Sequence, residues 1–266
     1  MIRSPLMTVT VDAVMKAAKG LRRDFGEIEN LQVSRKGPGD FVSAADKKAE
    51  KVLHEALLKA RPDYGFVMEE SGIVEGKDPA HRWHIDPLDG TTNFLHGLPH
   101  WAISVALERE GTIVAGVIYD VAKDELFIAE RGKGAFLNNK RMRVSGRTDV
   151  VDCVVATGIP SIGRRDHPGY LKQLRLVMMQ TSGVRRFGSA ALDLAYVAAG
   201  RYDAYWEQGL NSWDMAAGAL MVREAGGFVG DAYGKDEVLG ADTIVAGNET
   251  MHRALLAMLK EARSQA

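Results

Sequence analysis

The stretch that most constrains the fold is residues 101–137, where "WAISVALERE", "TIVAGVIYD", "ELFIAE" and "GAFLN" follow one another as strand-like runs. Turns separate them and "NNKR" reads as a hairpin tip, so the segment predicts an antiparallel sheet. Residues 8–29 space Val11, Val14, Met15, Ala18 and Leu21 along one helical face. A second helix runs from Ser43 to about Ala60, with Ala45, Ala49, Val52, Leu53, Ala56 and Leu57 as its apolar stripe and Arg61-Pro62 as its stop. "GFVMEE" and "RWHID" read as short buried strands, each delivering carboxylates at its C-terminal end. Beyond the meander, "VVDCVVATG" and "RYDAYWE" read as strands, and "HPGYLKQLRLVMMQ" and "SAALDLAYVAAG" as helices. The helix "SWDMAAGALMVREAGG", closed by Gly226, the strand "TIVAG" and a helix from Glu249 finish the chain. This order predicts a layered α/β or α+β fold with two sheets. Its halves, 1–150 and 151–266, meet near residue 150 at a soft boundary within one compact unit.

Composition narrows the function classes. The 266 residues suffice for a sizeable core, and 46% apolar with 26% charged residues is the mixture of a soluble globular protein. Thirty-four Lys and Arg against 35 Asp and Glu leave a net charge of -1, which argues against a dedicated nucleic-acid binder. The single cysteine, Cys153, requires no oxidising compartment. The N-terminal "MIRSPLMTVTVDAVMKAAKG" lacks a signal-type apolar run, and the uncharged stretch 90–107 is too polar and punctuated to span a bilayer. A soluble, cytoplasmic protein is expected.

The chemistry concentrates in "RWHIDPLDGTTNFLHG", residues 82–97. A strand ending at Asp86 and stopped by Pro87 presents one carboxylate at a sheet edge. Asp89 follows from a turn, Gly90 permits an unusual backbone geometry, and Thr91 and Thr92 start a short helix whose free N–H groups suit an anion. The two aspartates and the Leu88 carbonyl between them form an oxygen donor set for a divalent cation. Glu69-Glu70 and Asp214 extend it, although each has a plainer reading: a solvated turn for the pair, and a helix N-terminal charge for Asp214. Several carboxylates within about 4 Å would repel by roughly 4 kcal/mol per pair at an effective dielectric near 20, so a cluster implies hard cations. All-oxygen ligation suits Mg²⁺ rather than zinc, and no His or Cys set has metal-ligand spacing. Metals beside an anion-binding helix start imply phosphate chemistry.

These residues carry a family resemblance. "WHIDPLDGTTNFLHGLPHWAISVAL" resembles the first signature of the inositol monophosphatase family and "WDMAAGALMVREAGG" its second, with "GDFVSAADKKAE" and "EESG" matching the remaining acidic motifs in order. The likeness covers nearly the whole chain, and "RRFGSAALDLAYVAAGRYDAYWEQGLNSWD" is especially similar to the bacterial branch. The resemblance implies a layered αβαβα sandwich with two sheets, one largely antiparallel, of the sugar-phosphatase kind. It implies a Mg²⁺-dependent phosphomonoesterase acting on inositol monophosphates such as myo-inositol 1-phosphate, by direct attack of a metal-activated water. Glu69, Asp86 and the Leu88 carbonyl match the first metal site, and Asp86, Asp89 and Asp214 the second; a third, weaker ion also leans on Glu69. Gly90 and Thr91 match the phosphate cradle, Thr91 the hydroxyl that helps activate the water, and Asp46 its hydrogen-bonding partner. Glu207, Asp89 and the backbone around Ala190 match contacts to the inositol ring. Lithium inhibition and a homodimer are implied as well. Ser43 stands where threonine is common and retains the hydroxyl, while "IPSIGRRDHPG" matches no specificity signature.

Other features have plainer readings. Arg164-Arg165 and Arg185-Arg186 read as solvated surface or subunit contact rather than phosphate or partner patches, and Lys36 reads equally as a loop cation or as a reach toward the phosphate from a mobile loop. Phe94, Leu98 and Trp101 read as sheet packing, and Met178-Met179 as helix core. Two alternatives stand beside the inositol reading. One is a related sugar-phosphate or histidinol-phosphate phosphatase, which the metal motifs do not separate. The other is a bacterial interaction protein of the transcription or RNA-processing machinery, favoured only by the arginine pairs.

Overall fold

The computed structural model describes residues 3–27, 33–37, 40–160 and 167–264, with backbone alone for 33–37 and 40–43. The proposed roles of the Lys36 and Ser43 side chains therefore lie outside what is described, and Arg164-Arg165 lie outside the described residues. Three helices and ten strands fill the first part: α1 (Pro5–Gly26), β1 (Val33–Gly37), β2 (Asp40–Ser43), α2 (Ala44–Ala60), β3 (Tyr64–Met68), β4 (Gly72–Val74), β5 (Asp78–Asp89), α3 (Thr91–Leu95), β6 (Ala102–Arg109), β7 (Thr112–Asp120), β8 (Glu125–Glu130), β9 (Gly134–Leu137) and β10 (Lys140–Arg141). The remainder runs β11 (Val154–Thr157), α4 (His167–Gln180), β12 (Gly183–Arg185), α5 (Ala190–Ala198), β13 (Ala204–Gln208), α6 (Ser212–Glu224), β14 (Phe228–Gly230), β15 (Thr243–Gly247) and α7 (Glu249–Ser264).

An eight-stranded sheet has the order β10-β9-β8-β7-β6-β5-β3-β4, and a five-stranded sheet the order β12-β11-β13-β15-β14. The first is antiparallel except for the β3–β5 pair, and the second mixes parallel β12-β11-β13 with antiparallel β15 and β14. Three buried clusters stack the layers. Met7, Val11, Val14, Leu21, Leu53 and Leu57 of α1 and α2 pack on one face of the large sheet. Its other face, through Ala106, Ile118 and Phe127, meets α5 and α6, which in turn cover Tyr205 and Ile244 of the small sheet. The outer face of the small sheet, at Val155, Trp206 and Val245, packs on α4 and α7. The result is the αβαβα sandwich that the resemblance implied. Among the described residues, no helix is long and apolar enough to cross a membrane.

The structure corrects several local expectations. Pro87 does not end its strand: β5 continues to Asp89, with Asp86 opposite Ser104 and Asp89 opposite Ala102, so Pro87 and Leu88 face Ile103 alone and form a bulge. Proline, lacking an N–H, is tolerated there because a bulge interrupts the ladder. The first half of "VVDCVVATG" is a 3-10 turn, Val150–Asp152, because the Asp149 side chain accepts a hydrogen bond from the Val151 N–H and competes with strand pairing. Met15 lies outside the buried stripe of α1 and is exposed. Leu98, expected in the sheet packing, is also exposed, unlike its neighbours Phe94 and Trp101. Met178 and Met179 are exposed because the buried face of α4 runs through Tyr170, Gln173 and Val177, three and four residues apart.

Candidate active site

Three separate segments bring four carboxylates together between the large sheet and the central helices. Glu69 follows β3, with its N–H bonded to the Ile85 carbonyl at 3.2 Å, so it lies beside the end of β5. Asp86 sits before the bulge, almost fully buried, and its Oδ1 accepts from the Leu88 N–H at 2.9 Å. The bulge also decides where Asp89 points, because three steps along β5 cover two along β6. Asp214 lies in the first turn of α6, where its Oδ2 accepts from the Asn211 N–H at 2.7 Å. The plain expectation of a helix N-terminal charge is thus met by the same side chain that faces the cluster.

The electrostatics show how close these groups are. Asp86 is pushed well above the ordinary carboxylate range, first by burial and then by the charges of Glu69, Asp89 and Asp214. The Glu69 side chain, close enough to Asp86 to hydrogen-bond, pushes it in the same direction. Asp214 is pushed up in the same direction by burial, Asp89, Glu69 and Glu207. Asp89 reaches about 6: burial raises it, while hydrogen bonds from Ser189 and from the Ala191 and Ala190 amides hold it down. Asp89 and Glu207 keep some solvent-facing surface, yet protein surrounds the carboxyl groups densely enough to desolvate them.

Beside the carboxylates, Gly90 caps α3 with φ +93°, a left-handed conformation that L side chains resist. A Cβ there would also lie 3.1 Å from the His100 carbonyl and 3.3 Å from that of Gly188. The Thr91 hydroxyl lies 3.1 Å from both Asp46 Oδ1 and the Leu88 carbonyl oxygen. Asp46 is buried on the inner face of α2, so the hydroxyl links the helix to the bulge. Glu207, on β13, accepts a hydrogen bond from the Tyr205 hydroxyl at 2.5 Å, and burial lifts its pKa to about 7. The Ala190 amide turns toward Asp89, at the start of α5.

Several supporting residues escaped the sequence reading. Ser189 Oγ and the Ala191 N–H both donate to Asp89 Oδ2, at 2.6 and 2.7 Å. Asn93 Nδ2 donates to the carbonyls of His100 and Phe187, at 2.8 and 2.7 Å, clamping the segment before α5 against α3. Glu50, nearly fully buried, receives the Glu70 N–H at 2.8 Å and the Ser71 hydroxyl at 2.5 Å, and so anchors the turn after Glu69. A signal for it existed: Glu50 lies one helical turn after Asp46, an acid repeated on the buried face. His84 bridges Glu108 at 2.9 Å and Ser212 at 2.8 Å, tying the start of α6 to the large sheet. Arg186 is exposed, as a solvated arginine would be, yet its charge lowers the pKa of both Glu207 and Asp193.

Among the described residues, no three His, Cys, Asp or Glu side chains stand already closed around a cation. Asp89 and Asp214 are instead engaged by amide and hydroxyl donors at the starts of α5 and α6. Their chemistry nevertheless fits a hard divalent ion. All donors are oxygens, Asp86 and Leu88 are buried and Glu69, Asp89 and Asp214 partly so, and the carboxylates raise one another's pKa, so a cation would remove their mutual repulsion.

A model of the inositol monophosphatase family matches residues 2–265. The inositol-1-monophosphatase of Mesorhizobium japonicum is 60% identical over 99% of both chains. The Nus factor SuhB of Pseudomonas aeruginosa is 44% identical over 96% of both chains. The crystal structure of the extragenic suppressor protein suhB from Bartonella henselae superposes with a TM-score of 0.94 at 58% identity, covering 97% of this chain and 99% of that one. The chain belongs to the inositol monophosphatase family.

Proposed function

We propose that the protein is a Mg²⁺-dependent phosphomonoesterase that hydrolyses inositol monophosphates, myo-inositol 1-phosphate among them, to inositol and phosphate. The observation that carries this is the convergence of Glu69, Asp86, Asp89 and Asp214 on one desolvated cluster beside the Gly90–Thr91 turn. Two, or three, Mg²⁺ ions held by Glu69, Asp86, the Leu88 carbonyl, Asp89 and Asp214 would supply charge neutralisation and a more acidic water. The Gly90 and Thr91 amides, at the start of α3, hold the phosphate oxygens. The Thr91 hydroxyl orients the attacking water and passes its proton toward Asp46, 3.1 Å away. Water oxygen bonds to phosphorus, the bond from phosphorus to the ring oxygen breaks, and that oxygen leaves as a hydroxyl by taking a proton from a solvent water, while Asp46 returns its proton to solvent. Glu207, Asp89 and the backbone at Ala190 orient the ring. The segments before residue 150 bring most cation donors, and those after it bring Asp214 and Glu207. Inhibition by lithium, a homodimeric assembly and a cytoplasmic location belong to the same proposal.

The test is phosphate release from myo-inositol 1-phosphate, fructose 1,6-bisphosphate and histidinol phosphate, with and without Mg²⁺. A strong Mg²⁺-dependent preference for the inositol ester is expected, and Asp89→Asn should abolish it while the protein stays folded. Better turnover of another ester would retain the metal chemistry and discard inositol as the substrate. The 44% identity to a protein named Nus factor SuhB favours a second role as an interaction protein of the transcription machinery. Partner capture that survives Asp214→Asn, with no ester turned over by the wild type, would put that role first.

A further inference from the structure

The surroundings of Glu207 contain two features that hydrolysis alone does not explain. Strands β11 and β13 run parallel with Thr157 opposite Trp206, so the next residues, Gly158 and Glu207, lie side by side at the strand ends. A Cβ built on Gly158 would stand 1.9 Å from the Glu207 carboxyl carbon and Oε1, and 2.2 Å from Oε2. The carboxylate therefore lies against bare backbone, in space that any other residue at 158 would fill. Tyr205 shares the face of β13 with Glu207, is fully buried, and donates its hydroxyl to Oε2 at 2.5 Å. Behind them, Asp193 of α5 is also buried, and neither of its oxygens has a hydrogen-bond partner. Apart from the long arm of Arg186, the charges felt at Glu207 are acidic, so without a fixed donor the carboxylate would swing toward solvent.

We infer that Gly158 and Tyr205 are positioning residues that make Glu207 a specificity determinant. The glycine opens the slot for the carboxylate and the tyrosine hydroxyl occupies Oε2, leaving Oε1 to accept a hydroxyl of a polyol ring. The pair thereby selects hydroxyl-rich phosphate esters over flat aryl esters, at no cost to the carboxylate cluster that handles the phosphate. This rests on the proposal that Glu207 meets the substrate ring.

Tyr205→Phe removes a single oxygen, and Gly158→Ala fills the slot. Both are compared with Glu207→Ala through the ratio of kcat/KM for myo-inositol 1-phosphate to that for p-nitrophenyl phosphate. Loss of one charge-assisted hydrogen bond corresponds to roughly a tenfold change, so Tyr205→Phe should lower the ratio about tenfold, mainly through KM for the inositol ester. In a Glu207→Ala background it should change the ratio less than about twofold, which a merely structural role of Tyr205 would not produce. Gly158→Ala should lower the ratio at least as far as Tyr205→Phe; if it does not fold, Tyr205→Phe decides alone. Equal losses on both esters from Tyr205→Phe, with a selective loss from Glu207→Ala, would overturn the inference and leave the role of Glu207 standing. Equal losses from Glu207→Ala itself would overturn that role, and the inference with it.

Discussion

Replacing Gly218 by alanine tests whether the central helix layer is as tight as the fold requires. Gly218 lies in α6, and a Cβ there would fall 2.4 Å from Leu194 Cβ, 2.7 Å from its Cδ1 and 3.1 Å from its Cγ on α5. The nearest of these atoms is attached directly to the backbone, so a rotamer change cannot clear it. The two helices would have to separate by about 1 Å to restore ordinary contact, in a layer gripped between two sheets. In an open helix, Gly→Ala stabilises by about 1 kcal/mol, whereas forced overpacking of a core costs about 1–3 kcal/mol or more. Because the clash is with a Cβ, the upper part of that range applies, and a net loss of about 2 kcal/mol is expected. At roughly 2–4 °C per kcal/mol for a chain of this size, Tm should fall by about 4–8 °C. Gly20 in α1 is the control, since a Cβ there meets nothing within 4 Å. Gly20→Ala should raise stability by about 0.5–1 kcal/mol. Urea unfolding of both variants supplies the comparison. A Gly218→Ala protein as stable as the wild type would refute the close approach of α5 and α6.

Three further outcomes follow from other contacts. Glu50→Ala should release the turn after Glu69, cost about 1.5–3 kcal/mol through two orphaned donors, and raise the Mg²⁺ concentration needed for half-maximal activity; an unshifted midpoint would mean that the turn holds itself. Glu207 has a folded pKa near 7, above its ordinary value of 4.5, so its relative stabilisation is complete below 4.5 and is lost as pH rises through 7. Metal-free wild type should thus lose up to about 3 kcal/mol relative to Glu207→Gln between pH 5 and 8, and a gap independent of pH would refute the desolvation. Cys153 is buried, its Sγ lies 3.1 Å from the Asp149 carbonyl, and burial lifts its thiol to about 11, so iodoacetamide at pH 8 should label it only after unfolding.

Much of this protein was legible in the linear chain because periodicity and turn chemistry are local. The alternation in residues 102–137, the stripe of α2 and the positive-φ glycine after α6 each reflect interactions within one element or between neighbours. The acidic motifs were legible for a different reason: carboxylates beside glycine and proline suit neither helix nor strand interiors, so their presence points to chemistry. What stayed hidden was set by partners far along the chain. Pro87 looked like a strand end until β6 supplied the neighbours that turn it into a bulge. Ser189, Asn93, Glu50 and His84 looked like ordinary polar residues, and their roles depend on atoms up to 128 positions away. Gly158 is the clearest case. In sequence it is one glycine at a strand end, and its meaning is a gap that only Glu207, on the adjacent parallel strand, fills. Local preferences thus determined which elements form and which residues carry the chemistry. The tertiary structure decided which distant carboxyl groups share one desolvated space, because proximity and burial, and with them pKa, are properties of the packed layers rather than of any single segment.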